Sequence, residues 1–290
     1  MLTALRWLSH QSLGFLHKWG GLLGWAAWLL SPRYRRRLRL NADLAGIGAA
    51  DRHAAVAQAG RMVAEMPLLW LRPAAQPLAP PVQWQGAESI DAALAAGRGL
   101  VMLTPHLGAF EVIAQAYAER FGARQPMTAL YRPAKQAWLR ELETSARDRP
   151  GLLTAPATLA GVRQMIRALR RGQTVGLLPD QVPPEGMGVW APFFGQPAYT
   201  MTLASRLALQ TGAAVLLMLC ERLPRAQGWR LRVFEMPEPL PQAAIFGGDD
   251  TAHQTECAAV INRAMEFLIR QSPTQYLWGY HRYKSPREHL

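Results

Sequence analysis

The stretch VMLTPHLGAFEVIAQ, residues 101–115, sets a histidine where an apolar run stops and a carboxylate five residues later. His106 and Glu111 are residue types of general acid–base catalysis. A carboxylate hydrogen-bonded to one imidazole nitrogen fixes the tautomer and steadies the imidazolium, and the other nitrogen becomes a base. Spacing limits how they can meet. In one helix, five residues leave two side chains about 140° apart, facing different ways. They converge only if His106 stands in the turn before a helix and Glu111 in its first turns. Pro105 and Gly108 favour so tight an entry. By itself H-x4-E is a weak signal, because most such pairs are structural.

Other polar residues stand at the ends of apolar runs. Arg132 follows MTALY, and Asp180 with Gln181 follows VGLLP. Arg132 reads as a clamp on a phosphate or as a solvated arginine at a strand end. Asp180 and Gln181 read as ligands for sugar or headgroup hydroxyls, as partners of Arg132, or as a turn ahead of Pro183 and Pro184. Phe193, Phe194 and Gly195 read as the wall of an apolar groove or as loop packing. His281, Arg282, Tyr283 and Lys284 read as a basic tail for anionic headgroups or as the closing stretch of the fold. Cys220 and Cys257 sit in apolar or helical patterns and read as inert buried thiols, with neither disulfide nor metal spacing.

The elements that must position these residues alternate from about Val82 onward. Strands are expected at GLVMLTP, MTALYRP, GLLTAP, TVGLLPD, AAVLLMLCER and GWRLRVFEMP. Helices are expected at Leu107–Arg120, from about Lys135 to Arg147, at Leu159–Arg171, Met201–Thr211 and Thr251–Arg270. QVPPEGMGVWAPFFGQPAYT reads as a long loop. Continuous apolar strands alternating with helices predict an α/β fold, a central mostly parallel or mixed sheet flanked by helices. Ligands of such sheets sit outside the carboxyl ends of the strands. His106, Arg132, Asp180 and Gln181 therefore share one site if their strands are parallel neighbours.

Ahead of this domain, residues 1–40 predict a membrane-associating helix with a basic cluster, and residues 41–81 a helical connector leading to the α/β domain of 82–290. The apolar stretch Leu13–Leu30 is interrupted by His17 and Lys18. Its clean part, Trp19–Leu30, is short against the roughly 20 residues a span needs. Trp19, Trp25 and Trp28 suit a membrane interface. Arg33, Arg35, Arg36, Arg37 and Arg39 follow the apolar part, the reverse of a secretory signal. If the segment spans, the positive-inside rule places everything after Ser31 in the cytoplasm; if it lies flat, the arginines meet anionic headgroups; otherwise it is a buried core helix. The chain carries a formal charge of +12, which implies an anionic partner. No nucleic-acid motif with interleaved aromatics accompanies that charge, so a lipid surface explains it better than nucleic acid.

HLGAFE resembles the H-x4-D/E motif of the glycerolipid acyltransferase superfamily. More narrowly, the chain is similar to the bacterial lipid A biosynthesis acyltransferases. YRP at 131–133, LPDQ at 178–181, PFFGQPAYT at 192–200 and QYLWGYHRYK at 275–284 resemble that family's blocks in the family's order. Glu111 stands where the wider superfamily typically has Asp, and the residues between the pair are small apart from Phe110. The resemblance implies transfer of a fatty acyl chain from acyl carrier protein to a hydroxyl of a lipid A precursor, at the cytoplasmic face of the inner membrane. His106 and Glu111 would form a general-base dyad, with Arg132, Asp180, Gln181, Phe194 and Gly195 binding substrate, and no cofactor or metal. An acidic carrier protein suits a basic surface. The close alternative is a lysophospholipid or other glycerolipid acyltransferase using acyl carrier protein or acyl-CoA. A metal-dependent hydrolase built on His106, Glu111 and Asp180 lacks a second histidine at ligand spacing.

Overall fold

A strand buried on both faces must be apolar at consecutive positions, and Leu100, Val101, Met102 and Leu103 are. The computed structural model describes residues 2–131, 136, 149–243 and 250–287. Four helices come first: α1 (Leu2–Ser9), α2 (Leu13–Leu30), α3 (Pro32–Leu44) and α4 (Ala49–Trp70). Then come β1 (Gln83–Gln85), α5 (Ala87–Ala95), β2 (Leu100–Leu103), α6 (Phe110–Phe121), β3 (Met127–Tyr131) and β4 (Leu152–Pro156). They are followed by α7 (Leu159–Arg170), β5 (Thr174–Leu177), β6 (Gly188–Phe193), β7 (Gln196–Met201) and α8 (Leu203–Thr211). The last elements are β8 (Ala214–Arg222), β9 (Trp229–Glu235) and α9 (Asp250–Gln271). The helix expected from about Lys135 to Arg147 lies almost wholly outside the described residues.

Seven strands form one sheet in the order β1-β9-β8-β2-β5-β3-β4. Every pairing is parallel except β8 with β9. The mostly parallel or mixed sheet expected from the sequence is what forms. Its two faces are read off β2 alone: Val101 and Leu103 enter one core with Met165 and Leu268, while Leu100 and Met102 enter the other with Val112 and Tyr117. That period of two is the pleat of a strand covered on both sides.

The stretch read as a long loop is different. Residues 188–201 form the antiparallel hairpin β6–β7, closed by a two-residue turn at Phe194 (φ 46°) and Gly195 (φ 72°). Its prolines hid it: Pro192 and Pro197 face one another across the ladder, and Pro is tolerated in a two-stranded edge where a central strand would exclude it. The left-handed backbone of Phe194 disfavours a side chain. The strain is offset, because the Phe194 amide donates to Glu266 at 2.6 Å and its ring is buried against Trp278.

The N-terminal helices pack on this body. Gly20 and Gly24 of α2 lie against Gly60 of α4 so closely that a Cβ on any of them would collide with the opposing backbone. The Asn41 side chain donates to the Trp278 and Tyr280 carbonyls at 2.7 and 2.6 Å. Trp7, Trp19, Leu22, Leu23, Leu29 and Leu30 are each more than half exposed. Among the described residues no helix is long and apolar enough to cross a membrane.

Candidate functional site

The strands β2, β5 and β3 are parallel neighbours, so their carboxyl ends open on one side. His106 follows β2 and Asp180 follows β5. Arg132, one residue past β3, lies outside the described residues. The turn between β2 and α6 is held rigidly. Gly108 has φ 62°, and a Cβ there would strike the Cys220 carbonyl oxygen; this is a position only glycine fits. The Ala109 amide donates to the Cys220 carbonyl at 2.7 Å, the Gly108 amide to that of Gln275 at 3.0 Å, and the Leu277 amide to that of His106 at 3.2 Å. Arg222 donates through Nη2 to the Gly108 carbonyl at 2.6 Å.

From that turn the His106 ring meets Asp180. The distance from Nδ1 to Asp180 Oδ1 is 2.7 Å, and the His106 backbone amide donates to Oδ2 at 2.9 Å. One carboxylate thus fixes both the ring and the backbone of the same residue. Asp180 is 2 % exposed. Burial pushes its carboxyl up, but the charge and two hydrogen bonds of His106, with help from Arg282, outweigh this and hold it below its ordinary value. An ionised carboxylate only accepts, so Nδ1 donates to Asp180 in either charge state, and it is the neutral ring that offers a lone pair at Nε2. At Nε2 stands the Gln181 amide nitrogen, 3.0 Å away. The ring is thus held at both nitrogens, by Asp180 at Nδ1 and by Gln181 at Nε2.

Glu111, expected to orient the ring, lies in the first turn of α6 and accepts from Trp70 Nε1 at 3.3 Å. Its neighbour Phe110 packs edge-on against the imidazole with ring centroids 4.9 Å apart. The helix begins at Phe110 rather than Leu107, which puts His106 in the preceding turn, as the pairing required. The carboxylate bonded to the ring is nevertheless Asp180. Sequence reasoning gave Asp180 a different task. The signal that would have found it is the adjacency of two parallel strand ends.

The remaining expectations separate. Gln181 reaches His106. Phe194 and Gly195 turn the β6–β7 hairpin, with Phe194 in the core. Arg282, read as part of a basic tail, is buried: it donates to the Tyr199 carbonyl and to Thr200 Oγ1 at 2.7 Å each, and it lies over the Phe193 ring. Tyr276 was not singled out at all. Its phenol is buried beside Asp180, and burial first, then that carboxylate, push it far above its ordinary value, so it stays protonated.

Among known proteins, the chain is similar to a lipid A biosynthesis lauroyltransferase of Escherichia coli (strain K12), 29% identical over 204 residues, or 70% of this chain and 62% of the relative. A lipid A biosynthesis palmitoleoyltransferase of the same organism is 27% identical over 202 residues, 69% of this chain and 61% of the relative. A phosphatidylinositol mannoside acyltransferase of Mycobacterium tuberculosis (strain CDC 1551 / Oshkosh) is 29% identical over 153 residues, 51% of this chain and 46% of the relative. The matched stretch spans about three fifths of the length of the two Escherichia coli relatives. The family model described as bacterial lipid A biosynthesis acyltransferase matches residues 4–285. Because that match runs through the N-terminal helices, the sheet and the closing segment alike, the chain belongs to the bacterial lipid A biosynthesis acyltransferase family.

Proposed function

We propose that the chain transfers a fatty acyl group from acyl carrier protein to a hydroxyl of a lipid A precursor, with His106 as general base. The observation that carries this is the His106 ring, fixed through Nδ1 by a buried carboxylate while its side chain stays 19% exposed. An acceptor hydroxyl displaces the Gln181 amide, gives its proton to Nε2 and attacks the thioester carbon. The carbon–sulfur bond breaks, and the imidazolium returns its proton to the leaving thiolate. Asp180 steadies the imidazolium in this arrangement. Glu111 takes over that task only if the ring turns away from Asp180. The attack is direct: burial pushes the Cys220 and Cys257 thiols up, so neither supplies a thiolate at neutral pH.

The exposed apolar side chains of α1 and α2 beside the arginines of α3 support binding to an anionic membrane surface, which we place at the cytoplasmic face of the inner membrane. Arg132, at the third of the three strand ends, is retained as a phosphate clamp. The mycobacterial relative, a phosphatidylinositol mannoside acyltransferase, favours a second reading in which the acceptor is a glycolipid other than lipid A. The test uses purified full-length chain in detergent with acyl carrier protein and acyl-CoA as alternative donors. Lipid A precursors and other glycolipids serve as acceptors, with new esters read by mass spectrometry. Ester on the lipid A precursor, faster from carrier protein, is the expected result. A folded chain that acylates no hydroxyl from either donor would sink the reading.

A further inference from the structure

On the side of the His106 turn that faces the N-terminal helices lies a cavity of about 590 Å³. Lys18 of α2, Arg61 of α4, Arg222 at the end of β8 and Arg225 in the turn after it all line it. Of these four cations only Arg222 has a carboxylate partner among the described residues, and that carboxylate, Glu65, is shared with His17. Arg61 donates to the His17 carbonyl and has no ion pair among the described residues. Burial and then the nearby Arg222 charge push its guanidinium down from its ordinary value, as expected of like charges gathered without an anion between them.

Two further observations point inward. Arg225 and Ala226 both adopt left-handed backbone, φ 55° and 57°, which residues with a Cβ rarely do. Such strain clusters at ligand clamps, and here it sets an arginine on the rim. On the opposite wall Gln58 has a buried carboxamide oxygen without a partner. Turning that amide over presents N–H donors instead.

We propose that this cavity is a phosphate-binding site, taking the phosphate of a lipid headgroup or of a soluble phosphate ester. A carboxylate would answer one charge; a phosphate carries nearly two and has several oxygens for the guanidinium forks and the ammonium to share. The site is built into the catalytic turn. Arg222 and Gln275 line it, and the same two residues hold Gly108. An occupant therefore shares its partners with the loop that carries His106. The site stands on its own residues, whatever reaction His106 performs.

The test uses the full chain in zwitterionic detergent, titrated by calorimetry with inorganic phosphate at constant ionic strength, with chloride as control. A second arm measures binding to phosphatidylcholine vesicles with and without phosphatidic acid. Phosphate should bind where chloride does not. The Arg61→Gln/Arg225→Gln double variant should bind it weaker by about tenfold or more, the loss expected for charge-assisted bonds, and His106→Ala should bind as the parent does. If phosphatidic acid binding falls in the same variant, the natural ligand is a headgroup; if only inorganic phosphate binding falls, it is a soluble ester. Should the double variant fail to fold by circular dichroism, Lys18→Gln, at an exposed position, must still weaken phosphate binding. Phosphate binding equal to chloride, or unchanged in a folded variant, overturns the proposal. Neither arm reads acyl transfer, so failure here leaves the proposed reaction standing, and an inactive His106→Ala leaves this site standing.

Discussion

Among the described residues two histidines are paired with buried carboxylates, and the two pairs are built differently. His106 and Asp180 meet at 2.7 Å, His17 and Glu65 at 3.1 Å. In both, burial pushes the carboxyl up and cationic partners more than reverse it. The difference lies in how each carboxylate is used. Asp180 gives one oxygen to the His106 ring and the other to the His106 amide. Glu65 is divided: Arg222 donates to one oxygen through Nε at 2.9 Å and Nη2 at 2.8 Å, while His17 and Trp229 share the other. A carboxylate with both oxygens on one histidine fixes that histidine. One spread over α2, β8 and β9 ties elements together.

The sharpest way to break this comparison is to remove each histidine. His106→Ala should lower the initial rate of acyl transfer by about 10²- to 10⁴-fold, with a smaller fall in denaturant midpoint because Asp180 keeps its bond from the backbone amide at that position. His17→Ala should do the reverse, losing stability and keeping turnover at low temperature. Equal losses of rate from both would erase the distinction. Next comes Glu65→Gln, which leaves the buried Arg222 guanidinium without its countercharge. Removing one partner of a buried pair costs about 3–5 kcal/mol, measurable by guanidinium unfolding, and the activity of the folded fraction should survive.

The two carboxylates near His106 can then be ranked. Asp180→Asn should lower kcat by about 10²-fold through loss of the tautomer and of imidazolium stabilisation. Glu111→Gln should cost less than about tenfold. The opposite order would return the orienting role to Glu111. The smallest effect is on the acid limb of stability. Asp180 and Glu65 both titrate below their unfolded values of 3.8 and 4.5. Their contribution is complete above those values and is lost as pH falls through the lower folded values. Melting temperature should therefore hold from neutrality down to about pH 5 and drop below about pH 4. Asp180→Asn and Glu65→Gln should each flatten part of that drop.

Much of this was legible in the sequence because it is periodic or local. The buried strands announce themselves as apolar runs, α2 coincides with the apolar stretch Leu13–Leu30, and His106 stands out because a polar residue ends a strand. The convergence of Asp180 and Gln181 on the same strand ends was also readable, but their division of labour was not. Which carboxylate meets an imidazole depends on side-chain direction across a parallel pair, and H-x4-E spacing drew attention to the nearer candidate. The Glu65 cluster was invisible for a related reason: its members lie 48 and 157 residues from the carboxylate, and no spacing rule links them. The β6–β7 hairpin was masked by its prolines and glycines, which mark loops more often than strands.

The clamps on the His106 turn have a consequence for how the protein is made. The turn is translated early, yet Asp180 comes 74 residues after His106 and Arg222 comes 114 residues after Gly108. At ribosomal rates of about 5–20 residues per second, the turn waits roughly 6–23 s for its arginine. For the first 74 residues after it the nascent histidine lacks its carboxylate, and through the whole interval its turn lacks the arginine. A half-made chain therefore lacks the finished surroundings of His106, and the arrangement is completed only with the final quarter of the polypeptide.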